Sequence, residues 1–210
     1  MADTRTRSRL TGSERRRRIL EAAIEAFAAR GYEGASMREI ATAAGVTKPV
    51  LYDHFASKER LFVEAMESIR DELTRRGAEA MGRRGALEAR VRAAISAFFS
   101  YVEEKPAAAR VLLVAPRGRP ELIQASRRVQ AEATARLAAL LAREPELLRG
   151  VRGRARRLEL TTEFIRQGLH GLAEWWSEHP QVPRRVVVDA AMDAAWLGLR
   201  GQLRPRRSRR

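Results

Sequence analysis

The stretch that decides the fold is Ser36-Met37-Arg38-Glu39-Ile40-Ala41-Thr42-Ala43-Ala44-Gly45-Val46-Thr47-Lys48-Pro49-Val50-Leu51-Tyr52-Asp53-His54-Phe55. Ser36 with Glu39 three residues later is a capping-box pattern that starts a helix, and Gly45 stands where a left-handed residue ends it. Thr47 then takes the N-cap position of a second short helix over 48–54, with Pro49 in a first turn where a missing N–H costs nothing. Two short helices around a tight glycine turn make a helix-turn-helix, whose second helix is shaped to enter the major groove of DNA. Ile40, Ala41, Val46, Val50, Leu51 and Phe55 close a small core with Leu20, Ile24 and Phe27 of a preceding helix. Thr47, Lys48, Pro49, Tyr52, Asp53 and His54 are left outside as groups that can meet base edges and phosphates.

Outward from this element the chain reads as helices throughout. Apolar residues recur at three and four, and strand-like alternation is missing. Expected helices cover 13–30, 36–45, 48–54, 58–76, 86–104, 107–115, 120–143, 154–178 and 184–201. Glycine and proline stand in the gaps, with 77–85 read as a break. Arg15, Arg16, Arg17 and Arg18 crowd the first turns of the first helix, where the helix dipole favours anions, so the cluster calls for an anion beside it.

Composition narrows the function. The 210 residues carry 41 Lys+Arg against 26 Asp+Glu, a net charge of +15, so an acidic partner is expected: nucleic acid first, anionic lipid as the rival. Only Lys48, Lys58 and Lys105 are lysine, and this bias toward arginine makes the placement of charge more informative than its total. The absence of cysteine excludes disulfides, thiolate chemistry, iron–sulfur clusters and sulfur-ligated zinc. His54, His170 and His179 sit on separate elements without a paired ligand, so no metal site is expected. No nucleotide-binding glycine pattern or hydrolase motif occurs, so neither an enzyme activity nor a cofactor is expected. With no apolar run of spanning length and no apolar segment behind the basic N-terminus, the expected location is cytoplasmic.

Gly31-Tyr32, Ser36 to Ala41, Ala44 to Thr47, Leu51 to Phe55 and Ser57-Lys58-Glu59-Arg60-Leu61-Phe62 together resemble the DNA-binding domain of the TetR family of transcriptional repressors (TetR/AcrR-like). The resemblance runs from Ile19 to Phe62 in motif and beyond that in architecture. The run Trp175-Trp176-Ser177-Glu178-His179-Pro180 also looks like the end of the family's first dimerisation helix. It implies an all-α chain: a flexible basic arm (1–12), a three-helix helix-turn-helix DNA-binding domain (13–60), a helical ligand-sensing and dimerisation domain (61–203) and a basic tail (204–210). It implies a homodimeric, ligand-responsive repressor of a palindromic double-stranded operator, with an unidentified small-molecule effector and no membrane partner. Carried over position by position, Thr47, Lys48 and Pro49 match the base-reading start of the recognition helix. Tyr52, His54 and Lys58 match phosphate contacts, and Ser36 matches a helix start that approaches phosphate. Asp53 departs from the pattern, as an acid facing a polyanion; it can pair with an arginine or accept from a cytosine amine.

In the C-terminal region, Phe98, Tyr101, Phe164, Gln167 and His170 are the candidate ligand-binding residues, the default reading of the three aromatics being core or dimer seam. Glu163, Gln167 and His170 share a helical face by their spacing, and solvated surface is an equal reading of that face. Leu169, Leu172, Trp175, Val187, Ala191, Ala195, Trp196 and Leu199 are the expected dimer interface, on the last two long helices. The alternative function is a ligand-independent basic helical protein, DNA-architectural or membrane-surface, in which the arginine runs act and the helix-turn-helix is incidental.

Overall fold

A computed structural model of the chain describes residues 11–113, 119–145, 147–148 and 150–200. Most of the arm (1–12), the tail (204–210), the last two positions of the helix expected over 107–115, and Gly201 lie outside the described residues. The described chain is all-helical, with α1 (Gly12–Gly34), α2 (Met37–Ala43), α3 (Lys48–His54), α4 (Lys58–Met81), α5 (Leu87–Glu104), α6 (Pro106–Leu113), α7 (Pro120–Ala142), α8 (Arg154–Glu178) and α9 (Arg184–Arg200). Two compact units divide within α4, after Ala65.

In the first unit, Ile19, Ala23 and Phe27 of α1 are buried with Ile40 and Ala41 of α2, Leu51 of α3, Phe55, and Leu61 and Phe62 of α4. Phe27 meets Phe62 edge-on at 5.0 Å, and Tyr32 meets Phe62 the same way at 5.4 Å. The capping of these helices differs from expectation. The reciprocal capping box belongs to α1: Thr11 Oγ1 accepts from the Glu14 amide, and the Thr11 amide donates to Glu14 at 2.8 Å. At α2, Ser36 Oγ accepts from the Arg38 amide at 3.3 Å, and the Glu39 carboxylate pairs with Arg30 at 2.5 Å instead of turning back. A guanidinium within reach is a stronger partner than a backbone amide, so the half-formed box follows.

In the second unit α7 packs along α8, and α5 along α9. Val91, Ile95, Phe99, Leu158, Ala173, Val187, Met192 and Leu199 form its apolar centre. Trp176 closes the α8–α9 turn, stacking edge-on to Phe99 at 5.8 Å and donating its indole N–H to the Val182 carbonyl at 2.8 Å. The connection after α7 is held by Arg154, which donates to the carbonyls of Ala142, Glu144 and Leu147, and by the two-bond Arg90–Glu144 pair. The break expected over 77–85 starts later, because α4 continues to Met81. Gly77 stays helical since Ala78, Glu79, Ala80 and Met81 behind it favour a helix, and Arg75 pairs with Glu79 across that turn.

Candidate nucleic-acid interface and ligand cavity

The turn between α2 and α3 is set by two backbone bonds. Gly45 donates to the Thr42 carbonyl at 3.1 Å, and Val46 to the Ala41 carbonyl at 2.9 Å. Gly45 has φ 68°, a conformation that a side chain opposes, so glycine is needed here. This reversal seats α3 on Leu51 and Phe55, both buried, and leaves Thr47, Lys48, Pro49, Tyr52 and Asp53 exposed together. Thr47 occupies the N-cap position, but its hydroxyl makes no cap hydrogen bond. Tyr52 is 42% exposed, with Lys48 Nζ 5.8 Å from its ring centre, so it is a surface aromatic and no core residue.

The other expected DNA residues are tied to the scaffold. His54 is half-buried, and its carbonyl accepts from Arg16 at 3.4 Å. Lys58 Nζ donates to the Glu33 carbonyl at 3.1 Å and lies 4.6 Å from the Tyr32 ring centre. Ser36 is half-buried in its capping contact. The arginine cluster of α1 finds part of its anion within the chain: Arg16 pairs with Glu64 and stacks on Phe55, and Arg17 pairs with Glu21.

Within the second unit lies a cavity of about 160 Å³, lined mainly by apolar side chains such as Leu73, Ile95, Phe98, Val129, Leu137 and Leu169. Phe98 and His170 line it, their rings stacked at 5.7 Å. Three other candidates are elsewhere. Phe164 is 80% exposed on the outer side of α8. Tyr101 is buried under Arg76 and Lys105, whose cations lie 5.0 and 5.5 Å from its ring, and burial pushes its phenol upward in pKa. Gln167 is exposed and donates to Glu163 at 2.8 Å. A spacing of three or four selects a face but leaves open which way that face turns, and Phe164 turns outward.

The sequence reading missed the buried cations of this wall. Arg70 is 6% exposed and bound to Asp71 and Glu132, and Arg166 is 5% exposed and bound to Glu163 and Thr134. Arg166 sits between Thr162 and His170 at intervals of four, on the face that carries Ile165 and Leu169. An arginine in such a stripe is the available signal, diluted in a chain so rich in arginine. Burial pushes the Glu163 carboxyl up, but hydrogen bonds from Arg166, Thr134 and Gln167 outweigh it and hold its pKa at about 2. Burial first, and the neighbouring Arg166 second, push His170 down to about 4 against the opposing pull of Glu163.

Most residues of the expected dimer interface lie inward in the single chain. Val187, Ala191, Ala195 and Leu199 are buried in the chain's own core, with Leu169, Leu172 and Trp196 packed partly against it. Of the eight, only Trp175 is exposed. The most apolar face of α9 is claimed by α5 of the same chain, leaving little of it for a partner.

Among the described residues no group of three His, Cys, Asp or Glu side chains could hold a metal ion, and no helix is long and apolar enough to cross a membrane. The arrangement defines an all-helical protein with an N-terminal helix-turn-helix unit and a separate helical unit that holds a partly open cavity. Residues 19–65 match the family described as bacterial regulatory proteins, tetR family. Over 96 residues it is 44% identical to the HTH-type transcriptional activator FasR of Mycolicibacterium smegmatis, a match covering 46% of this chain and 44% of FasR. The chain thus spans less than half of that relative's length. The fold is similar to the fatty acid degradation regulator FadR of Bacillus halodurans, with TM-score 0.74 and 18% identity over 85% of this chain and 96% of that one. It is also similar to FadR of Bacillus subtilis, solved in complex with stearoyl-CoA, with TM-score 0.72 and 20% identity over 88% and 98% of the two chains.

Proposed function

We propose that the chain is a homodimeric, ligand-responsive transcriptional repressor that binds a palindromic operator through α3 and works in the cytoplasm. The observation that carries this is the exposed set Thr47, Lys48, Pro49 and Tyr52, presented by a helix whose inner side is anchored by Leu51. Thr47, Lys48 and Pro49 read bases, and Tyr52 and His54 contact phosphate. Lys58 has N–H groups to spare for phosphate beside its bond to Glu33, and Ser36 fixes the start of α2 near the backbone. One such helix reads only a few base pairs, so two-fold symmetry is required to specify a site.

The dimer forms through the outer faces of α8 and α9. Leu160, Phe164, Gly168, Gly171 and Trp175 recur at helical spacing along α8 and are all exposed, as are Val186, Ala190, Ala194 and Leu197 along α9. Leu197 is 71% exposed, and a Cβ added at Gly168, Gly171 or Gly198 would meet no atom, so another helix can approach closely there. The effector occupies the cavity, is mainly apolar, and favours a dimer spacing that no longer matches successive major grooves. Helix α4 is the lever: its first turns belong to the first unit, and Leu73 and Gly77 line the cavity.

Competition binding tests this reading. A labelled two-fold symmetric duplex selected by the protein resists competition by random duplex and by anionic vesicles, and inserting five base pairs at its centre abolishes tight binding. Equal competition by all three would support the architectural or membrane-surface alternative. In a transcription assay on that duplex the protein lowers output; a rise would make it an activator, as FasR is named.

A further inference from the structure

We propose that His170 is the specificity-determining residue of the cavity, and that the effector is an uncharged molecule with a compact apolar body and a carbonyl-type oxygen that accepts a hydrogen bond from His170 Nε2. This rests on the cavity being the effector site. Arg166 Nη1 lies 3.5 Å from His170 Nδ1. A guanidinium only donates, so Nδ1 is the unprotonated nitrogen and Nε2 carries the proton. Among the described residues no group accepts from that N–H, while the ring lines the cavity and is fixed flat against Phe98. The imidazole is neutral at physiological pH, because burial and Arg166 disfavour its charged form.

The surrounding charges set the charge of the ligand. Both cations of the wall are already matched, Arg166 by Glu163 and Arg70 by Asp71 and Glu132. A carboxylate entering here would lose its hydration without gaining an unmatched positive group, which is unfavourable. A neutral acceptor loses far less and recovers it from one directed N–H. The volume sizes the buried part of the ligand: an apolar cavity of about 150 Å³ in another protein holds benzene, and this one measures about 160 Å³.

Three probes of nearly equal shape isolate these features: acetophenone, α-methylstyrene in which the carbonyl oxygen becomes a methylene, and benzoate. Binding to the full-length protein is followed by methyl-region NMR titration, with Ala94→Phe, which fills the cavity, as the control for location. His170→Phe keeps the stacked ring and removes the donor. The expected result is that the preference for acetophenone over α-methylstyrene falls about 2- to 12-fold in His170→Phe, the range of one hydrogen bond. Affinity for α-methylstyrene stays unchanged, showing that the variant is folded, and His170→Gln, which retains a donor, keeps part of the preference. Benzoate binds at least about 10-fold more weakly than acetophenone because its charge is unmatched. An unchanged preference in His170→Phe, or benzoate binding more tightly than acetophenone, would overturn the proposal while leaving the cavity as the effector site. If none of the probes binds, or Ala94→Phe leaves their binding intact, the effector-site reading falls as well.

Discussion

The two units of this chain bury different things. Among the described residues every buried polar or charged side chain, namely Arg70, Ser126, Thr134, Thr162 and Arg166, belongs to the second unit, and the interior of the first is apolar. The first presents a set of polar groups on the surface of α3. The second keeps paired cations beside a cavity, where filling the space alters the surroundings of an ion-pair network. The same contrast governs what each unit tolerates.

The largest effect is expected at the outer face of the second unit. Phe164→Glu combined with Leu197→Glu puts charge on the exposed stripes of α8 and α9, and sedimentation is expected to show a folded monomer with operator binding lost. A dimer surviving both changes places the interface elsewhere. Truncation after Pro180 is a poorer test, because Val187, Met192 and Leu199 belong to the core and their removal would unfold the unit. Next comes Leu51→Ala, which empties space in an interior with no polar alternative and is expected to cost about 2–5 kcal/mol in denaturant unfolding of the first unit. At the DNA surface, Tyr52→Phe and Lys58→Ala are expected to weaken all duplexes alike by about 1–2 kcal/mol, read in binding isotherms at fixed salt.

A smaller, pH-dependent effect sharpens the contrast. With His170 held at about 4 in the folded state, the unfolded chain binds the extra proton first, so stability falls as pH drops from about 6.5 toward 4. Glu163, held at about 2, adds a second loss below its ordinary value of 4.5. Unfolding measured between pH 7 and 4 is expected to lose its upper decline in His170→Phe. A decline of equal size in the variant would assign it to other groups. The smallest change is Thr11→Ala, which removes the α1 cap at about 1 kcal/mol.

The first unit was largely legible in the sequence because its determinants are local. Gly45 with its left-handed turn, Pro49 in the first turn of α3, and Leu51 and Phe55 at helical spacing each act within a few residues. The second unit was legible as helices and little further. Spacing alone cannot assign an outward or inward face when α8 carries apolar residues on both, as Phe164 and Ile165 do side by side. The same holds for Val187, Ala191, Ala195 and Leu199, expected at the dimer seam: α9 has two apolar faces, and α5, distant in sequence, packs on the one that carries them. Arg166 was hard to read as a wall residue because, besides the local Glu163, its partner Thr134 is 32 residues away.

The central claim is that α3 reads sequence as one half of a symmetric pair. Selection from a random duplex pool with the full-length protein and with Lys48→Ala tests it most directly. The account predicts a two-fold symmetric site with half-site centres about 34–36 Å apart, one helical turn or a multiple of it. In Lys48→Ala the base preference relaxes at the same position in both halves. A site without dyad symmetry, or an unchanged preference in Lys48→Ala, would contradict it.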